Sequence, residues 1–441
     1  MPVRQDDRRG MLEEEEIKSL LNYCNKLGIV QLLQDILIIM LKRLLRKLED
    51  PERPLLGPNL RVLRFVGLVL GDNIFDRCVR NGVSIGITII LLSECADVWL
   101  NRSDLDTLLE NLQFSLCSTI SGLKIFSIYI WKSDWIKIID YVNRADIEQR
   151  KSTDPYNVRY VNKYTRYCRK ITYIYWLVTW CSGLNNVVQP LLKYILKPDY
   201  RHNVNNGTVI GIEVIRTWVP WNKQSLKGYI ALSIYESFYT LFGACWILAI
   251  DSFTIVVMVF FRLELEVLRN DCRNIIGSED EAVDETESRR RIKECHRRYT
   301  DLLKYSRVYN SCLSPGMMLY MFSCTIMLCV TSVRFAVRRA SRFRLYTGNE
   351  FLLFGVTQLF LYCWHSNEVV FASKDLMQGP YESRWWYARS SFQREVCLMM
   401  HQFQTPVVFT AGPFTELTLP TFVNILKGAY SYYTILKQAK N

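Results

Sequence analysis

Apolar residues fall along this chain in long runs separated by charged stretches, and those runs decide its class. Seven segments read as membrane spans: Gly82 to Leu100, Leu108 to Trp131, Ile171 to Leu196, Tyr229 to Phe261, Leu313 to Phe335, Phe351 to Phe371 and Leu419 to Lys437. The fourth is long enough, at about 50 Å of helix, to project beyond the hydrocarbon. Two earlier segments are amphipathic. In residues 29–48 (IVQLLQDILIIMLKRLLRKL), Gln31, Gln34, Asp35, Lys42 and Arg43 break the apolar run; in residues 59–71 (NLRVLRFVGLVLG), Arg61 and Arg64 edge a Leu/Val/Phe face. Both are expected to lie on a membrane without crossing it.

The intervals between spans alternate in length. Long charged linkers follow the second and fourth spans, at 132–170 and 262–310, and the second contains GSEDEAVDETESRRR, whose charge and lack of apolar groups predict disorder. Long loops therefore share one side and short loops the other. Lys and Arg are similarly dense on both sides, so the positive-inside rule is close to silent. Both N-x-[ST] sites, Asn101-Arg-Ser and Asn206-Gly-Thr, fall on the short-loop side. Asn101 sits too near the membrane, which leaves Asn206 as the expected glycosylation site and places the N-terminus inside. Residues 1–16 are highly charged and form no signal peptide, so the first span is expected to act as the targeting signal.

Composition agrees with this class. Of 441 residues, 49% are hydrophobic and 13% aromatic, with mean hydropathy +0.02, which points away from soluble domains. The net charge of +12 belongs to basic residues flanking spans, where anionic headgroups lie, and implies membrane lipids and no nucleic acid as partner. Fourteen cysteines form no C-x-x-C pair and read as small buried hydrophobes. Gly82-Val-Ser84-Ile-Gly86 matches a nucleophile-elbow pattern but opens a membrane helix, where no strand-to-helix turn can form. The four histidines have no ligand spacing, so no enzyme, metal site or cofactor is expected.

Charges inside spans are candidates for function. Glu94, Asp97, Lys193 and Glu368 lie within snorkelling reach of an interface, whereas Lys124, Glu236 and Asp251 are deeper and expected to be paired internally. Aromatics concentrate in the third, fourth and sixth spans, as Tyr173, Tyr175, Trp176 and Trp180, then Tyr235, Phe238, Tyr239 and Phe242, then Phe351 and Phe354. With Thr179, Ser237 and Gln358 as polar handles they fit either ordinary packing or an apolar small-molecule pocket. Near the end of the chain, Gly412-Pro413 and Pro420 break the last apolar segment into two helices. In its second half Asn424, Gly428, Ser431, Ile435 and Gln438 recur at spacings of about 4 and 3, one helix face. A polar stripe closed by an apolar ring suits a hydrated pore; a stripe of small residues also suits helix packing.

The C-terminal third resembles the insect odorant receptor family. The likeness is carried by LYCWHSNEVVFASKDLM (361–377), YESRWWYARSSFQREVCLMMHQFQTPVVFTAGPF (381–414) and LTLPTFVNILKGAYSYYTILKQ (417–438), and it extends in span spacing over 59–441. Residues 1–54 precede the point where members usually begin. The resemblance implies an all-α membrane protein of seven transmembrane helices with inverted topology and a broken seventh helix lining a tetrameric pore. Its parts would be a cytoplasmic N-terminal extension (1–58), an interfacial or re-entrant amphipathic helix (59–81), and spans one to six across 82–371. A cytoplasmic anchor (372–418) containing the first half of helix seven, and a pore helix with extracellular tail (419–441), would follow.

It further implies an odorant-tuning subunit of a ligand-gated non-selective cation channel, assembled with olfactory co-receptor subunits as a heterotetramer in the plasma membrane of olfactory neurons. Odorant would bind at Phe114, Thr179, Trp180, Gly183, Tyr235, Phe238, Tyr239, Phe242, Phe351 and Phe354; the pore would be lined by Asn424, Gly428, Ser431, Ile435 and Gln438. Two alternatives stay open. A gustatory receptor-like channel is suggested by Ser431-Tyr432-x5-Gln438-Ala439, a partial echo of that family's T-Y-x5-Q-F ending. A G-protein-coupled receptor is less favoured, because no D-R-Y follows the third span and no N-P-x-x-Y occurs in the seventh.

Overall fold

The computed structural model describes residues 47–68, 73–103, 105–152, 154–209, 211–277, 284–337 and 342–438. Nearly all of the amphipathic segment expected at 29–48 lies outside them. Two compact units divide after Pro58, and the second holds the helices read as spans. Helix α1 (Gly57–Phe65) enters it, burying Leu60 and Leu63 and exposing Arg64 and Phe65, as the apolar spacing of 59–71 predicts. The helix ends earlier than expected, at a turn where Gly67 takes φ 80.

Each span read from hydropathy falls on one helix, most of them longer than the span: α2 (Ile74–Leu100), α3 (Leu105–Ile130), α5 (Pro155–Leu196), α7 (Leu226–Arg273), α8 (Glu285–Val337), α9 (Arg342–Asp375) and α12 (Leu419–Gln438). The charged linkers are largely helical. After α3 the chain bends by 79° at Trp131 into α4 (Lys132–Arg150). Asp154 then caps α5 by accepting the Tyr156 amide at 2.8 Å, with Pro155 at the first helical position.

GSEDEAVDETESRRR is also not uniformly irregular. Residues 278–283 lie outside the described set, but from Glu285 the segment is helical. Ion pairs one turn apart hold it: Glu285 with Arg289 at 3.1 Å, and Glu287 with Arg290 at 2.6 Å and Arg291 at 3.1 Å. Hydrogen bonds from the two arginines pull the Glu287 carboxyl down to about 2. The charge that argues for disorder in isolation stabilises a helix when its signs alternate at this spacing.

The central element is α7, buried almost all round between Ala244 and Leu268 and packed on α5 and α9, as an apolar helix without a polar face must be. Aromatic rings fill the core toward its C-terminal half. Trp135 packs on Phe253 at 5.6 Å, Tyr309 on Phe409 at 5.0 Å, and Tyr141 stacks on Tyr305 at 4.2 Å. Beyond them Arg298 ties α8 to α7 through Glu264 at 2.8 Å and through Asp271. Burial raises the Asp271 carboxyl and the Arg298 charge opposes that shift.

On the outside, apolar side chains face away from the bundle: Ile85, Ile89 and Leu92 on α2, Leu177 and Leu184 on α5, Phe322 on α8. Such a surface is stable only against lipid or another chain. By length and hydropathy alone, three helices among the described residues qualify as spans, Asp76–Leu100, Leu226–Arg273 and Glu285–Thr331, with the bent pair α3 and α4 as a fourth.

At the C-terminal end of α9 come α10 (Gln378–Tyr381), a 3-10 turn (Trp385–Tyr387) and α11 (Ser390–Gln402). The break before α12 is a small hairpin: β1 (Thr410–Ala411) pairs antiparallel with β2 (Thr415–Glu416), Thr410 opposite Glu416. Gly412 turns it at φ 71, where a Cβ would strike the Met318 sulfur at 2.5 Å. Gly412 donates to the Ser314 hydroxyl at 2.8 Å and Thr410 to the Asn310 side chain at 2.8 Å, so the hairpin is fixed to α8.

Candidate ligand cavity and pore helix

Helices α3, α5 and α7 line a partly open cavity of about 100 Å³, to whose wall Ile87 of α2, Phe354 of α9 and Ile215 of the segment before α7 also contribute. Its walls are mainly apolar. Several hydroxyls along them donate to carbonyls of their own helix: Ser121 to Cys117 at 2.9 Å, Thr179 to Tyr175 at 2.8 Å, Thr240 to Glu236 at 2.8 Å. Those donors are occupied, so the wall keeps weak polarity without demanding a polar ligand.

Of the residues expected to bind ligand, Phe114, Thr179, Gly183, Tyr239 and Phe354 line this cavity. Trp180 and Phe238 stand on the outer surface, 37% and 68% exposed, and Phe242 packs between Phe238 and Trp246. Tyr235 is half-buried outside the lining, and the Phe351 side chain lies outside the described residues. Gly243 and Ile215, which no sequence pattern singled out, both face the space.

Ile215 belongs to a roof. After α6 (Pro198–Asn205) the chain folds back over the cavity before entering α7. The buried Glu236 carboxylate accepts the Val214 amide at 2.8 Å and the Thr217 hydroxyl at 3.4 Å, and Trp218 donates to the Ser93 carbonyl at 3.2 Å. Lys223 pairs with Glu213 at 3.0 Å, opposing the upward shift that burial imposes on that carboxyl. Glu236 is thus held inside the protein by a backbone amide and a hydroxyl. Asn206, at the end of α6, is exposed with its amide against His202 at 2.9 Å.

Past Phe354 a second space of about 30 Å³ is lined by Lys124, Tyr320 and Gln358. Here the expected internal pairing is found. Asp251 is fully buried and accepts from Lys124 at 2.8 Å, Tyr175 at 2.8 Å, Tyr362 at 2.7 Å and Gln358. Four helices, α3, α5, α7 and α9, therefore meet on one carboxylate. Tyr320 of α8 joins through the Gln358 side-chain oxygen at 2.9 Å. Glu94 and Asp97, expected to reach an interface, are instead buried: Glu94 accepts from Ser118 at 2.9 Å and Asp97 from Asn111 at 2.6 Å, while the partly exposed Glu368 is paired with Arg262.

A larger hollow of about 310 Å³ opens at the opposite end, between α5, α7 and α9. Its charges satisfy one another, Arg262 with Glu266 at 3.0 Å and Arg269 with Glu382 at 3.5 Å, so it reads as a hydrated seam.

Helix α12 packs on α8 and α9. Asn424, Gly428, Ser431, Ile435 and Gln438 are all exposed on its other side, and a Cβ placed on Gly428 would meet nothing within 4 Å. Among the described residues of one chain the stripe has no facing helix.

The sequence model of the family described as 7tm Odorant receptor matches residues 104–430. Or2 of Anopheles gambiae is 25% identical over 150 residues, 34% of this chain but only 39% of that protein. Odorant receptor 2a of Drosophila melanogaster is 21% identical over 371 residues, 81% of this chain and 89% of that protein. The structure of the olfactory receptor OR5 from Machilis hrabei in complex with eugenol superposes with a TM-score of 0.75 at 15% identity, covering 88% of this chain and all of that one. That likeness establishes the seven-helix transmembrane fold.

Proposed function

The chain belongs to the 7tm odorant receptor family, a multi-pass membrane receptor and not an enzyme, and we propose that it is the odorant-tuning subunit of a ligand-gated non-selective cation channel. A small, largely apolar volatile occupies the cavity roofed by Ile215, and Phe114, Thr179, Gly183, Tyr239 and Phe354 contact it. The family likeness favours assembly with olfactory co-receptor subunits as a heterotetramer, N-terminus inside, in the dendritic plasma membrane of olfactory neurons. In that orientation α6 and Asn206 lie outside, where Asn206 can be glycosylated. Residues 372–418 form the cytoplasmic anchor.

The observation that carries the channel reading is the unpacked face of α12. Small and polar groups at Asn424, Gly428 and Ser431 supply a wettable wall, and Ile435, 62% exposed, supplies an apolar ring that gates by dewetting. Gln438 completes the stripe. A packing stripe would need a facing helix, and the described residues provide none.

Cysteine introduced at Ile435 or Gln438 tests it. A membrane-impermeant thiol reagent applied from outside is expected to modify either position during odour application, with modification altering the current. Inaccessibility of both, with and without odour, would remove this face from the pore.

A further inference from the structure

The Lys124 ammonium has more hydrogen-bonding capacity than its surroundings use. It has three N–H donors, and Asp251 takes one at 2.8 Å. Two aromatic rings stand beside it, Tyr320 at 4.6 Å and Tyr362 at 5.3 Å, and Cys117, Ser121 and Cys324 share the space it lines. Asp251 is meanwhile saturated by Tyr175, Tyr362 and Gln358. The lysine side chain is only 10% exposed, and it lines the smaller space beyond Phe354. That space and the main cavity share Cys117, Ser121, Ile247 and Phe354 as walls. A buried donor with unused hydrogens faces an open space, one aromatic ring away from the ligand cavity.

We propose that Lys124 forms a polar subsite that selects ligands ending in a carbonyl oxygen, namely ketones, aldehydes or esters. The apolar tail occupies the main cavity and the carbonyl passes Phe354 to accept from the Lys124 ammonium. Because Lys124 and Asp251 together are neutral, the subsite takes a neutral acceptor and not a carboxylate. A charge-assisted hydrogen bond in a dry site makes a tenfold or greater preference over an alkane of equal length, as an order of magnitude. The subsite rests on the cavity being the ligand site, and deepens that reading.

The test uses straight-chain ketones and alkanes of matching length on the purified full-length protein, with ligand-induced thermal stabilisation as readout. The wild type is expected to be half-saturated by ketone at roughly one tenth of the alkane concentration or less. Lys124→Met alone leaves Asp251 short of its cation, so the decisive variant is Lys124→Met with Asp251→Asn, which neutralises both partners. It is expected to lose the preference. Equal stabilisation of the wild type by ketone and alkane, none by ketone, or a preference surviving in the double variant overturns the subsite. Ketone stabilisation without any ketone-evoked current beside the co-receptor would instead count against the channel function, leaving the subsite standing.

Discussion

Replacing Asp251 with alanine is expected to abolish delivery of the protein to the cell surface. Removing the carboxylate strands the Lys124 ammonium at near-complete burial and leaves the Tyr175 and Tyr362 hydroxyls and the Gln358 amide without their acceptor. Breaking one partner out of a buried ion pair costs about 3–5 kcal/mol, a large share of the roughly 5–15 kcal/mol that holds a protein folded. Asp251→Asn combined with Lys124→Met removes both charges and keeps an acceptor oxygen, so it is expected to recover most of the loss. Surface biotinylation and thermal melting in detergent measure both. Wild-type surface levels and melting in Asp251→Ala would show that the four-helix junction is dispensable.

Gly243→Phe is expected to abolish odour responses while the protein still reaches the membrane. Gly243 faces the cavity in the middle of α7, and a Cβ there meets nothing within 4 Å. A phenyl ring carried on that atom fills most of a space of about 100 Å³. Replacing a helical glycine also gains helix propensity, about 1 kcal/mol for alanine, so folding is not the expected casualty. Gly183 offers no such clean experiment, because its Cβ would already meet the Ala244 Cβ at 3.2 Å. Sensitivity to the best agonist is expected to fall at least a hundredfold, as an order of magnitude for a ligand denied its volume, with surface level within about twofold. Trp180→Ala, outside the lining, serves as the control. An unchanged dose response in Gly243→Phe would place the ligand elsewhere.

The helices were legible because seven apolar runs each need a lipid or core partner, and Lys124, Glu236 and Asp251 were legible as internally partnered because isolated charges at that depth are too costly to keep; that Lys124 meets Asp251 and not Glu236 came only from the structure. The cavity was legible only in part. Thr179 and Trp180 are neighbours in sequence, as are Phe238 and Tyr239, yet one of each pair lines the cavity and the other faces out. Successive residues on a helix differ by about 100° in direction, and polar groups are spread round α5 too evenly to fix which face turns inward. Gly243 and Ile215 escaped for different reasons. A glycine marks a cavity only once its neighbours are known, and the roof depends on Glu236 reaching across from α7 to the Val214 amide. The hairpin at 410–416 was visible only as a break, because two paired residues per strand are too short for alternation to register.

The fold links a roofed apolar cavity, a carboxylate joining the four helices around it, and, through Tyr320 on α8, the helix on which α12 packs. A ligand that shifts the cavity walls therefore has a short packed route to the helix carrying the polar stripe.

The most direct test is to express the chain with the olfactory co-receptor, apply an odour panel and record membrane current. The expected result is a reversible cation current evoked by a small set of volatiles, absent when this chain is omitted. No odour-evoked current from any volatile, together with ligand-driven G-protein signalling by this chain alone, would contradict the channel reading.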